Sequence, residues 1–151
     1  MGGYPNPRDC SKCICPRGYG GALCNARPQA KTCGETVTAL SEKQTITHTL
    51  GDSKNGATLA DFEQCYYWIQ NPEKKTVKLT IKSLKVGYDN VACNYGGVEI
   101  KAQKDQLMSG YRFCDSEENK GKVITSSNTV IPVILYTRYG ATKLELVYRT
   151  V

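Results

Sequence analysis

Residues 76–84 read TVKLTIKSL, and their alternation decides the fold class. Val77, Leu79 and Ile81 fall on one side of an extended chain, and Lys78, Thr80 and Lys82 on the other. A period of two with one apolar side is the pattern of a half-buried β-strand. Residues 143–149, KLELVYR, repeat it with Leu144, Leu146 and Tyr148 inward. Residues 130–138, VIPVILYTR, are more continuously apolar, which suits a strand covered on both faces, although Pro132 points to a sheet edge or a bulge. TVTAL, QTITHTL, CYYWI, GVEIKAQ, GYRFC and KVIT give weaker strands, separated by GDSKNG, GYDN, DSEENKG and SSN. No segment holds a 3.6-residue period over ten residues, and LADFEQC has room for one helical turn. About nine short strands in residues 33–151 predict an all-β, two-sheet, jelly-roll-like sandwich.

Composition supports a folded soluble chain: 40% hydrophobic and 23% charged among 151 residues. The longest apolar run, VIPVIL, is far short of the roughly 20 residues that span a bilayer. The opening MGGYPNPRDC has no apolar stretch of the kind a signal peptide needs, so such a leader is expected upstream. Eight cysteines with one histidine indicate an oxidising, extracellular compartment, although no Asn-x-Ser/Thr sequon is present. The net charge of +6 is concentrated toward the start, where Arg8, Lys12, Arg17, Arg27 and Lys31 face Asp9 alone within residues 1–32. That piece is a candidate glycan- or heparin-binding element, with a solvated basic face as the simpler reading. No motif for nucleic-acid binding is present.

Residues 10–24, CSKCICPRGYGGALC, hold four of the eight cysteines. A zinc site needs three or four converging ligands, and Cys10-x2-Cys13 has neither a second knuckle nor a nearby histidine. Cys13-x-Cys15 lacks both the spacing and the βαβ setting of a thioredoxin-like centre. Disulfides remain, and eight cysteines admit 105 connectivities.

The spacing C-x2-C-x-C-x8-C, with Gly18-Tyr19-Gly20-Gly21 ahead of the last cysteine, resembles the second half of an EGF-like module. Beyond the short stretch NARPQAKT, Cys33, the CYYWI of residues 65–69, Cys93-Asn94-Tyr95, Val98-Glu99-Ile100, GYRFC of residues 110–114, Ser126-Ser127-Asn128 and Leu146-Val147-Tyr148 resemble a CUB domain. An EGF-like module followed by a CUB domain is similar to the C-terminal region of nematode astacin-family zinc metalloproteases. The resemblance implies a partial EGF-like module over residues 1–25, a linker over 26–32 and a CUB domain over 33–151. It implies the pairs Cys15–Cys24, Cys33–Cys65 and Cys93–Cys114, each contributing about 2–4 kcal/mol by restricting the unfolded chain. Cys10 and Cys13 would pair with the first two cysteines of the EGF-like module, which are not in this chain. They are left orphaned, or bridged to each other.

The same resemblance frames the function. The protease signature H-E-x-x-H is absent from a chain with one histidine, so no catalysis is expected here, and zinc belongs to a protease domain outside the chain. His48 reads as an ordinary residue on a sheet face. Many CUB domains bind calcium through a Glu before the third cysteine, an Asp three residues after it and an Asp in a late loop. Here Gly96 and Arg138 stand at the last two, and only Asp89 lies near the first, so no calcium site and no cofactor are expected. Tyr88, Asp89, Asn94, Tyr95, Arg138 and Tyr139 occupy loops that the fold brings to one end, a candidate binding edge rich in interface-type residues. Trp68 reads as core and Lys74-Lys75 as a solvated turn. The implied role is a secreted, non-catalytic module that engages an extracellular protein, a protease substrate or its own protease domain. The endopeptidase activity itself would belong to the parent enzyme.

Overall fold

The computed structural model describes residues 3–29, 33–88 and 92–151. It is all-β among the described residues, with a small N-terminal piece packed on a two-sheet sandwich. The N-terminal hairpin pairs β1 (Tyr4–Asn6) with β2 (Asp9–Ile14). Its turn is closed by the Asn6 side chain, which accepts from Arg8 N at 2.9 Å. The sandwich strands are β3 (Thr36–Thr38), β4 (Gln44–Gly51), β5 (Glu63–Gln70), β6 (Val77–Lys85), β7 (Gly96–Ile100), β8 (Tyr111–Phe113), β9 (Val123–Ser126), β10 (Val130–Thr137) and β11 (Ala141–Thr150). One sheet runs β3-β5-β10-β7-β8 and the other β4-β11-β6-β9. Every pairing is antiparallel except β3 with β5.

The alternation of TVKLTIKSL becomes the inner face of β6, where Val77, Leu79, Ile81 and Leu84 are buried and Lys78, Lys82 and Lys85 are exposed. They meet Ile69, Ile100, Ile131, Val133 and Leu135 from the facing sheet, with Leu144, Leu146 and Tyr148 from β11 completing one core. Two disulfides brace it. Cys33–Cys65 ties the approach to β3 onto β5, and Cys93–Cys114 joins the approach to β7 to the end of β8. Their Cα separations, 5.5 and 5.4 Å, lie in the ordinary range for such bridges.

Two expectations are corrected. LADFEQC forms no helical turn, because Glu63 and Gln64 already pair with Thr137 and Tyr136 of β10. Pro132 is neither at an edge nor at a bulge: β10 is the central strand of its sheet, and Pro132 pairs with Trp68 of β5. The proline is tolerated because its ring nitrogen faces the point where β7 ends. There Lys101 N donates to Pro132 O at 2.9 Å, and the Gln106 side-chain amide donates to the Lys101 carbonyl that a residue other than proline would have bonded. Trp68 is core, as read from the sequence. It is buried, but on the outer face of the sheet, where Tyr19, Cys24 and Trp68 form a second small core.

The N-terminal piece covers that outer face. Trp68 Nε1 donates to Gly18 O at 2.7 Å, and the Tyr19 ring lies 5.5 Å from the indole. Gly18, at φ +90°, brings its backbone so near the sheet that an added Cβ would meet Pro132 Cβ at 2.9 Å. Burial pushes the Tyr19 phenol up to about 12, and it donates to Gln106 Oε1 at 2.8 Å. Arg27, in the stretch expected as linker, donates to the Tyr66 carbonyl at 3.1 Å, and Gly20 bridges to Ala26. Residues 26–29 are therefore part of the packed piece, and residues 30–32 lie outside the described chain.

Candidate functional site

The expected edge forms at the end of the sandwich where the β6–β7 loop, the approach to β7 and the β10–β11 turn meet. Tyr88, Tyr95 and Tyr139 come together as a mutually edge-on triad, with centroids 5.0 Å apart for Tyr88–Tyr95 and 6.3 Å for the other two pairs. The loops are locked to one another. Arg138 N donates to Tyr95 O at 2.8 Å, and Gly87 packs so closely on Tyr139 that any side chain there would strike its carbonyl. Tyr88 remains 56% exposed, while Tyr95 and Tyr139 are half-buried. Tilted edge-to-face packing holds the rings with little freedom left to lose, a good starting state for binding. Asn94 lies on the same end and is exposed, whereas Asp89 lies outside the described residues.

Arg138 belongs to this end but works inward. Its guanidinium donates twice to the Leu59 carbonyl, at 3.0 and 3.2 Å, and stacks over Phe62 at 5.3 Å. Leu59 N in turn donates to the Arg138 carbonyl at 2.7 Å. Arg138 thus clamps the loop before β5 onto the edge. Phe62, 38% exposed and edge-on to Tyr136, joins the surface through that clamp. Nothing in the sequence around Phe62 points to this end, because its placement depends on a partner 76 positions along the chain.

Among the described residues of this end, two positions where the resemblance places calcium-binding carboxylates hold none. Gly96 has no side chain to offer, and a guanidinium occupies the late-loop position where a carboxylate is needed. Elsewhere, Cys33, His48 and Cys65 bring possible ligand atoms within 4.8 Å of one another. Both sulfurs are joined in a disulfide, however, and His48 Nδ1 is engaged by the Tyr67 hydroxyl at 2.9 Å. Desolvation lowers the His48 pKa, so the neutral ring is favoured.

The cysteines of the N-terminal piece divide in two. Cys15 and Cys24 are joined, with Cα atoms 5.3 Å apart. Cys10 and Cys13 are free thiols. The bridge between them that the sequence left open is not formed in this structure, where the register of the hairpin shifts between the two cysteines.

A charged cluster pins this piece to the sheet. Glu99 of β7 has no solvent exposure, accepts from Gly110 N at 2.8 Å, and lies 3.3 Å from both Arg17 Nε and Arg112 Nε. Lys101, also buried, donates to the Arg17 and Gln106 carbonyls at 2.9 and 2.6 Å, and desolvation depresses its pKa. Arg17 and Arg27 are therefore consumed inside the molecule, and Lys12 pairs with Asp9 at 3.2 Å.

These features define a disulfide-braced, two-sheet β-sandwich whose loop end is aromatic. The CUB domain family matches residues 33–143, and the chain belongs to it. Zinc metalloproteinase nas-31 of Caenorhabditis elegans is 45% identical over 99% of the chain, and zinc metalloproteinase nas-32 of the same organism is 37% identical over 99%. The chain spans only 24% and 23% of those two proteins, so it corresponds to the CUB-containing part of such metalloproteinases. The astacin-type resemblance read from the sequence is in this respect correct. Among solved structures, the calcium-bound CUB2 domain of MASP-1 superposes with a TM-score of 0.54 at 19% identity, covering 78% of this chain and all of that one. The CUB1-EGF-CUB2 region of rat MASP-1 gives 0.53 at 15% identity, covering 78% of this chain and 43% of that one. No helix among the described residues is long and apolar enough to cross a membrane.

Proposed function

We propose that this chain is the non-catalytic recognition region of a secreted zinc metalloendopeptidase, and that its Tyr88–Tyr95–Tyr139 end holds an extracellular protein, the protease's substrate in the first instance. The carrying observation is the tyrosine triad itself. Three rings pack edge-on against one another, one of them mostly exposed, at the end where Arg138 clamps Leu59 and bonds Tyr95. Rigid aromatic anchors with polar tips are what protein interfaces concentrate their binding energy on. Residues 1–25 are the C-terminal part of an EGF-like module, and Cys10 and Cys13 bond to cysteines of its preceding part.

The full-length protease carrying Tyr88→Ser and Tyr139→Ser tests the reading. Hydrolysis of a macromolecular substrate should fall on the order of tenfold through KM, while turnover of a short peptide that reaches only the protease domain stays the same. Equal loss on both substrates, or on neither, would overturn the recognition role.

A further inference from the structure

The outer face of the second sheet carries a charge pattern that its own fold does not neutralise. Lys78, Lys82, Lys85, Lys143 and Arg149 take the less buried positions between the core residues of β6 and β11, on either side of the register shift between these strands, and so point outward. Among the outward strand positions of this sheet they face one carboxylate, Glu145, which is used by Lys82 at 2.6 Å. The register then opposes like charges directly: Arg149 lies across from Lys78, and Lys143 across from Lys85. Like charges facing each other across neighbouring strands cost stability. The face also carries a grid of hydroxyls from Thr45, Thr47 and Thr49 on β4, Thr80 on β6 and Thr125 on β9. A shallow depression gathers Lys43, Lys78, Lys82 and Arg149 around Thr45 and Thr80.

We propose that this face is a binding site for a sulfated linear polysaccharide of the extracellular matrix, distinct from the tyrosine end. Charge spacing favours an extended polyanion over a single phosphate: Lys143 and Arg149 are six residues apart on one strand, about 20 Å. The threonine hydroxyls suit sulfate and sugar oxygens. Only Val123 and Val147 are apolar on this face, too little to insert into a membrane, and no aromatic ring stands outward to stack on bases. In the N-terminal piece Arg17 pairs with Glu99 and Arg27 is held by backbone carbonyls, which leaves Arg8 and Lys12 as the basic residues to control for.

The test uses the chain on immobilised heparin and in titrations with a heparin octasaccharide. Wild-type protein should be retained beyond about 0.2 M salt. The triple variant Lys78→Ser/Lys82→Ser/Arg149→Ser should bind on the order of tenfold more weakly, with a log–log salt slope shallower by about 0.7 per charge removed. Arg8→Ser/Lys12→Ser should elute with wild type. All three substituted residues are at the surface, and unchanged Trp68 emission would show that the variant is folded. Co-elution of the triple variant with wild type would overturn the proposal. So would loss of retention in Arg8→Ser/Lys12→Ser, or equal affinity for unsulfated hyaluronan, polyglutamate or phosphatidylserine vesicles.

Discussion

His48 is the one histidine of the chain and faces the sandwich interior from β4, between the Tyr67 hydroxyl and the Cys33–Cys65 bridge. Burial favours its neutral form, so its pKa in the folded state is below the value of roughly 6.5 expected of the unfolded chain. The unfolded state therefore binds the proton first as pH falls. The stability that His48 contributes is complete above about pH 6.5 and is lost below it, until the folded-state pKa is passed. A decline of Tm as pH falls from 7 to 5 is the expected signature of His48. His48→Gln, which keeps a polar partner for Tyr67, should flatten the decline. An identical decline in both proteins would show that another group is responsible. Glu99 illustrates the opposite use of burial. Its carboxylate is worth keeping only because two guanidiniums and a backbone N–H surround it, and one of those guanidiniums arrives from the N-terminal piece.

At the scale of elements, β6 and β11 are both the most legible strands in the sequence and the ones carrying the unfavourable register. Val77, Leu79 and Ile81 of TVKLTIKSL and Leu144, Leu146 and Tyr148 of KLELVYR could be read directly, since period-two alternation assigns them to the core without reference to any partner, whereas Leu84 is buried off that period. The outward halves of the two strands could not be read directly. That Lys78 faces Arg149 depends on the pairing register, which includes a shift between Glu145 and Leu146, and no local pattern encodes it. This arrangement separates stability from binding. Lys78→Glu replaces a repulsive cross-strand pair by an attractive one and should stabilise the domain by about 0.5 kcal/mol, read as a higher midpoint in urea at constant m. The same substitution should move elution from heparin to lower salt. A destabilised variant would mean that the Lys78 side chain makes packing contacts that outweigh its charge.

At the scale of the whole molecule, the domain boundary drawn at Cys33 and the physical boundary differ. The family match begins at residue 33. The outer face of its first sheet, with Trp68, Pro132, Ile134 and Tyr136, is nevertheless covered by residues 17–19, and Gly18 meets Pro132 and Ile134 directly. The near-continuous apolar run of β10 signalled that both of its faces would be covered, but not by what. The cover comes from a Cys- and Gly-rich piece with no periodicity of its own, fixed by contacts 50 or more residues away in the chain. Removing residues 1–28 should therefore leave the sandwich core intact while uncovering a contiguous apolar and aromatic patch, a known aggregation liability. Trp68, the chain's one tryptophan and only 5% exposed, reports this without a label. In the truncated protein its emission should shift to the red and become accessible to iodide, with self-association rising with concentration, while the β-sheet circular dichroism of the sandwich persists. Buried-type emission in a monomeric truncated protein would mean that the sheet covers Trp68 by itself, and that the N-terminal piece is an appendage rather than the third layer of the domain.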